Sequence, residues 1–253
     1  MARHLFIVGA QRSGTTYLYK VLDAHPRVYM AKPVKPEPKY FMNPAHAPAG
    51  YEAYFKRYFQ AAGDASWLGE KSTSYIESEE AAHAIKRSVP DPLILVILRD
   101  PVERAISNYL FTREHGLEPY AIERAIQEEP LRKDSWHAAG TSVSPYAYTE
   151  RGKYVKTLER WERLFGKSRL LLLVAEQFIG NPAAIAELYA RLGIDTRFVP
   201  PCLEERVNAS STGRSGIMLS DQLIASLREK YRPWNRELEQ RYGLNLSRWE
   251  KEA

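Results

Sequence analysis

Apolar runs alternate along the chain with stretches whose apolar side chains recur at helical spacing. Leu5–Val8 predicts a short buried strand, and Thr15–Asp23 follows as a helix with Tyr17, Leu18, Val21 and Leu22 on one stripe. WLGEKSTSY, Trp67–Tyr75, predicts a second strand leaving into a loop. LILVIL, Leu93–Leu98, is the strongest strand signal, because an unbroken run of branched apolar residues fits a central strand covered on both faces. Asp100-Pro101 ends it and opens a helix through about His115. Lys153–Phe165 repeats apolar residues at Tyr154, Leu158, Trp161, Leu164 and Phe165, again a helix; Arg169–Val174 is a further buried strand, and Pro182–Leu192 and Ser220–Tyr242 complete the helices. Lys32–Pro48 cannot be a helix, since it holds Pro33, Pro36, Pro38, Pro44 and Pro48. Strands alternating with helices predict an α/β class: one domain over residues 1–253, with a central, mostly parallel sheet flanked by helices.

GAQRSGTT, Gly9–Thr16, directly follows the first strand and opens the first helix. The two glycines have the spacing of a nucleoside-triphosphate loop, but Thr15 stands where that loop has lysine. A strand turning through glycine into a helix aims backbone N–H groups and the positive end of the helix dipole at one spot, which therefore binds an anion. Thr15 and Thr16 add hydroxyl donors, and Arg12 puts positive charge in the loop itself, a set suited to a less charged group that needs no metal. A glycine turn that binds nothing is the structural alternative. A second constellation lies in LRDPVERAISNY, Leu98–Tyr109. Arg99 ends the best strand, where open α/β sheets bind ligands, and Ser107 lies about two helical turns on; a guanidinium fork with a hydroxyl suits a terminal phosphate. Arg99 could equally bridge to Asp100 or Glu103, and Arg104 is expected at the surface.

Charge and cysteine content narrow the class. The chain has 253 residues, 36 Lys and Arg against 31 Asp and Glu, and a net charge of +5, compatible with anionic ligands but too mild to argue for nucleic acid. Cys202 is the only cysteine, so no internal disulfide forms. No apolar run approaches the roughly 18 residues of a membrane span, and no signal peptide or anchor is expected, which points to the cytoplasm.

These residues resemble the sulfotransferases that use 3′-phosphoadenosine 5′-phosphosulfate (PAPS), in the branch of the glycosaminoglycan enzymes and their bacterial relatives. The resemblance spans nearly the whole chain and implies their P-loop-like fold and a metal-free reaction. GAQRSGTTYLYKVLDAHP, Gly9–Pro26, resembles the 5′-phosphosulfate loop, and LILVILRDPVERAISNY, Leu93–Tyr109, resembles the strand and helix that bind the 3′-phosphate. The family implies cofactor contacts from Arg12, Ser13, Gly14, Thr15, Thr16, Arg99 and Ser107. Glu70-Lys71-Ser72 and the helix start Gly152–Tyr154 also match, and STGRSG, Ser211–Gly216, resembles a late loop that closes on the cofactor, with Thr212, Gly213 and Arg214 as its contacts. EPKYF, beginning at Glu37, resembles the segment whose glutamate is the general base, and the flanking Pro36 and Pro38 give that carboxylate a stiff, extended backbone. A solvated acid in a proline-rich turn is the alternative. Arg12 and Lys71 would stabilise charge on the transferring sulfonate and the leaving phosphate; Lys71 could instead pair with Glu70.

The sequence departs from the pattern at Arg12, where many glycosaminoglycan enzymes have Lys, at Pro36, often polar, and at Lys39, often His. His115 is a fallback base, although a lone histidine at a helix end is usually a cap. The aromatics of Tyr40–Tyr58 and of the insertion Asp134–Tyr148, with Trp136, Tyr146 and Tyr148, are candidates for acceptor stacking or for core. The expected acceptor is a small molecule or a carbohydrate-containing compound made in a bacterial cell, modified at a hydroxyl or amine. Two rivals stay open: a P-loop kinase-like phosphotransferase and a nucleotide-binding module without catalysis.

Overall fold

A computed structural model of the chain describes residues 2–132, 140–204 and 219–250. The chain packs as two compact units, Met1–Leu98 with Leu158–Val207, and Arg99–Thr157 with Asn208–Ala253.

The first unit holds a five-stranded sheet in the order β2-β3-β1-β4-β5, with every pair parallel. Its strands are β1 (Arg3–Gly9), β2 (Val28–Met30), β3 (Trp67–Lys71), β4 (Leu93–Leu98) and β5 (Leu170–Val174). β1 reads as continuous apolar sequence because both of its faces are covered. Leu5 and Ile7 share a core with Leu95 and Ile97 of β4, with Leu18, Val21 and Leu22 of α1 (Thr15–Ala24), and with Ile185, Leu188 and Leu192 of a later helix, Pro182–Leu192. On the opposite face Phe6 stacks on Tyr54 of α2 (Gly50–Tyr58) and packs edge-on against Phe41. α3 (Glu79–Ser88) starts at Ser78, whose hydroxyl accepts the Ala81 N–H at 3.0 Å.

The second unit is helical. It contains α4 (Pro101–Glu114), α5 (Ile122–Glu128), the start of α6 (Tyr154–Phe165) and the long carboxyl-terminal helix Asp221–Tyr242. Numbered in chain order, Ala175–Phe178 is α7, Pro182–Leu192 α8 and Asp221–Tyr242 α9. Val102, Ile106 and Tyr109 of α4 share a core with Ile122, Tyr148, Leu227 and Tyr231. Asp100 caps α4 by accepting the Val102 N–H at 2.8 Å, and Pro101 fills the first helical position, where no N–H is needed. Burial pushes the Asp100 carboxyl up, while the Arg228 guanidinium pulls it back. Gly152 admits no side chain: a Cβ there would lie 2.5 Å from the Tyr231 ring.

The predicted strands and helices form with ends shifted by a few residues, and the strand expected from Trp67 leaves into a loop after Lys71. β2, α2, α3, α5 and α7 lie outside the predicted set. Lys32–Pro48 contains no α-helix, only 3-10 turns at Tyr40–Met42 and Pro44–Ala49. Three expectations are settled towards the core. Arg104 is fully buried and donates to the Tyr148 carbonyl, where a surface position was expected. Tyr40, Phe41 and Tyr54 are buried among other rings. Tyr148 is also buried and donates to Glu118 at 2.6 Å, whereas Trp136 lies outside the described residues.

His4 is a buried titratable group in this framework. Its ring packs against Tyr51, Tyr54 and Phe59, Nε2 lies 2.7 Å from the Tyr51 hydroxyl, and burial lowers its pKa from 6.5 to about 4. A depressed folded value means that His4 stabilises the fold above its unfolded pKa and that this contribution is lost as pH falls from 6.5 through about 4. Urea denaturation from pH 7 to pH 4 is expected to show stability falling over that window, and His4→Phe is expected to flatten this part of the profile.

Candidate active site

β1 and β4 are neighbours in the sheet, and Ala10 N–H donates to the Ile97 carbonyl at 2.9 Å, so the Gly-rich loop leaves the sheet beside the carboxyl end of β4. Within the loop Arg12 has φ 66° and Gly14 φ 91°. A left-handed conformation is costly for an arginine, and such strain collects at ligand-binding turns. Ser13, between them, is buried, and its Oγ has no hydrogen-bond partner among the described residues. α1 starts at Thr15 without a side-chain cap, so its first amides have no intrahelical acceptor. An orphaned hydroxyl beside an uncapped helix start is a donor set shaped for an anion. Thr15 is buried, Arg12 and Thr16 are half-buried, and Gln11 Nε2 ties the loop to Ser74 Oγ at 3.3 Å.

β3 ends on Glu70 and Lys71, which the alternation of a strand sends to opposite faces. Lys71, with its side chain 4% exposed, donates to Glu37 Oε1 at 2.6 Å. Glu37 Oε2 accepts the Thr73 N–H at 2.8 Å, and Thr73 Oγ1 lies 3.1 and 3.0 Å from its two oxygens. The proline-rich segment is therefore not a solvated turn at Glu37: its carboxylate is held from two sides on the carboxyl edge of the sheet. The alternative pairing of Lys71 with Glu70 does not occur. Glu70 is fully buried and accepts from Tyr54 Oη at 2.7 Å and Ser72 Oγ at 2.6 Å.

In the helical unit Arg99 and Ser107 are both half-buried. Arg99 lies 3.4 Å from Glu103, one of the bridges expected from the sequence, and its carbonyl accepts the Tyr154 hydroxyl at 2.7 Å. His115 caps α4, with Nδ1 2.8 Å from the Phe111 carbonyl and its ring against Phe111. Thr212, Gly213 and Arg214 lie outside the described residues. Thus Glu37 and Lys71 are in contact, and Arg12, Ser13, Gly14, Thr15 and Thr16 form one loop. Thr73 is a partner that pattern reading left out, and the hydroxyl-rich STS after Lys71 was the available signal for it. The Tyr154 hydroxyl gives the matching helix start Gly152–Tyr154 a definite partner, the Arg99 carbonyl. Among the described residues no group of three or more His, Cys, Asp or Glu side chains comes together as a metal cluster.

Residues 2–210 match the family described as the sulfotransferase domain. The chain belongs to the sulfotransferase family. Human heparan sulfate glucosamine 3-O-sulfotransferase 6 is 28% identical over 94% of this chain and 71% of its own length. The mouse 3-O-sulfotransferase 3A1 is 26% identical over 94% of this chain and 62% of its own length, so this sulfotransferase spans less than two thirds of that relative. The crystal structure of a sulfotransferase from Alicyclobacillus acidocaldarius superposes with a TM-score of 0.78 at 23% identity, covering 99% of this chain and all of that one, which shows a shared fold. A phosphotransferase reading of the Gly-rich loop falls with this assignment, and Thr15 in place of lysine is a feature of this sulfotransferase's own sequence. Among the described residues of the sulfotransferase no helix is long and apolar enough to cross a membrane.

Gly14→Ala tests the loop's backbone. At φ 91° an alanine is strained, and its Cβ would meet Ile179 Cδ1 at 2.7 Å, the far end of a flexible side chain that can move. The expected loss of stability is about 1–2 kcal/mol, from the left-handed backbone alone, read by chemical denaturation.

Proposed function

We propose that this sulfotransferase moves a sulfonate group from PAPS to a hydroxyl or amine of a small-molecule or carbohydrate-containing acceptor, with Glu37 as general base. The observation that carries the proposal is the Glu37 carboxylate, bonded to Lys71 at 2.6 Å and to the Thr73 amide at 2.8 Å. PAPS supplies a sulfonyl group already attached to a phosphate leaving group. The orphaned Ser13 hydroxyl, the uncapped start of α1 and the Thr15 and Thr16 hydroxyls fit the sulfonate and phosphate oxygens. Arg12 adds positive charge there, and as a group that keeps its proton it acts by electrostatics alone. Lys71 has three N–H donors, of which Glu37 takes one, so its ammonium can also stabilise charge on the departing phosphate oxygen. Glu37 orients the acceptor group and takes its proton on a carboxylate oxygen as attack proceeds in line.

Arg99 and Ser107 are assigned to the 3′-phosphate, with the Arg99 backbone fixed by Tyr154. Thr212, Gly213 and Arg214 are assigned to closure over the nucleotide, and residues 1–253 to one sulfotransferase domain needing no metal. The likeness to glucosamine 3-O-sulfotransferases favours a sugar hydroxyl as acceptor. The cytoplasmic location expected from the sequence is part of the same proposal.

Three measurements test this reading. Adenosine 3′,5′-bisphosphate without magnesium is expected to raise the melting temperature more than ATP with magnesium; a preference for ATP contradicts the donor assignment. Mass spectrometry of glucosamine oligosaccharides and small hydroxyl or amine compounds incubated with PAPS is expected to find a sulfonated product. With the best of these acceptors, Glu37→Gln is expected to lower turnover by roughly 10²- to 10⁴-fold while adenosine 3′,5′-bisphosphate still binds. Binding without any product favours the non-catalytic module.

A further inference from the structure

Glu37 is followed closely by a backbone that has to be held in place. Lys39 has φ 47°, a left-handed conformation at a non-glycine residue, and it leads into the turn Tyr40–Met42. Such a conformation persists only where the surroundings over-determine it. Two hydroxyls from the segment after β3 do this. Ser72 Oγ accepts the Lys39 N–H at 2.8 Å, and Tyr75 Oη accepts the Phe41 N–H at 3.0 Å. Ser72 Oγ also donates to one fully buried carboxylate, Glu70, at 2.6 Å, and Tyr54 Oη donates to the same carboxylate at 2.7 Å.

A hydroxyl has one proton and two lone pairs, and an ionised carboxylate only accepts. With its proton committed to Glu70, Ser72 turns a lone pair towards the Lys39 amide. We infer that Glu70 is a positioning residue for the reaction: by polarising Ser72 it fixes the Lys39 amide and so sets where Glu37 stands. Glu37 is then gripped twice from one short segment, at its carboxylate by Lys71 and Thr73, and along its backbone by Ser72 and Tyr75. Burial pushes the Glu70 carboxyl up, and the hydrogen bonds from Ser72, Tyr75 and Tyr54 pull it back. Glu70 touches neither donor nor acceptor in this scheme; it acts through Glu37, so the inference rests on the reading of Glu37 as base.

Glu70→Gln keeps the shape but puts an N–H₂ where one oxygen accepted, so a hydroxyl that donated there loses the acceptor of its proton. Hydrogen exchange and steady-state kinetics read the consequence separately. Exchange at the Lys39 amide is expected to rise about tenfold or more relative to Ile7 in β1. Turnover with the best acceptor is expected to fall about 10²-fold, the scale of a 1 Å misplacement, with the KM for PAPS unchanged. In a Glu37→Gln background, Glu70→Gln is expected to cost no further turnover. Unchanged exchange at Lys39, or full turnover in Glu70→Gln while Glu37→Gln is impaired, overturns the inference and leaves Glu37 as base. Full turnover in Glu37→Gln overturns the base reading itself, and the inference with it. If Glu70→Gln does not fold, Ser72→Ala decides: it is expected to reproduce the exchange and kinetic changes, with Ser72→Thr close to the parent, and equal behaviour of the two overturns the inference.

Discussion

A lysine ammonium that is 4% exposed at the end of a parallel strand needs a counter-charge, and the arrangement of this site follows from how that need is met. Lys71 finds Glu37, 34 positions earlier in the chain, and the pair closes at 2.6 Å with Glu37 only 16% exposed. A buried pair of this kind adds little net stability, because both ions lose water, but removing either partner leaves a stranded charge. Its effect is therefore geometric. The segment between β2 and α2 has few backbone bonds of its own beyond two 3-10 turns, and the pair, with the Thr73 amide, draws it onto the carboxyl edge of the sheet.

Strand order explains why chemistry gathers at that edge. β1 lies between β3 and β4, all three parallel, so their carboxyl ends emerge side by side. From β1 comes the Gly9–Thr16 loop, from β3 comes Lys71, and the residue after β4 is Arg99. The chain runs to β2 and β3 on one side of β1 and to β4 and β5 on the other, the change of direction at which open α/β sheets bind ligands. Helix starts without side-chain caps are normally a cost. At Gly14 the uncapped start of α1 coincides with a buried hydroxyl that has no partner among the described residues, which turns the cost into a donor set.

Legibility in the sequence followed the range of the interactions. LILVIL and the glycine spacing of Gly9–Thr16 are local signals, so the central strand and the anion loop could be read directly. Glu37 stood out through its flanking prolines and a family resemblance, while Lys71 was left between a pair with Glu70 and the charge of the transferring group. Strand alternation separates Glu70 from Lys71 only once the end of β3 is known. Arg104 defeats any surface rule, because a helix of ordinary composition can bury an arginine when a carbonyl such as that of Tyr148 accepts it. α2 was hidden by its aromatics: Tyr54 serves a buried carboxylate rather than an apolar stripe. α3 has a regular cap and face, but its short alanine-rich pattern was easily passed over.

The central claim, proposed above, is that the loop after β1 receives the 5′ end of the nucleotide, with Glu37 beside it. A crystal structure with adenosine 3′,5′-bisphosphate tests this most directly. The account requires the 5′-phosphate on the Gly14–Thr16 amides, within reach of Lys71. A nucleotide bound elsewhere, or a 5′-phosphate with Glu37 turned away from it, contradicts the account.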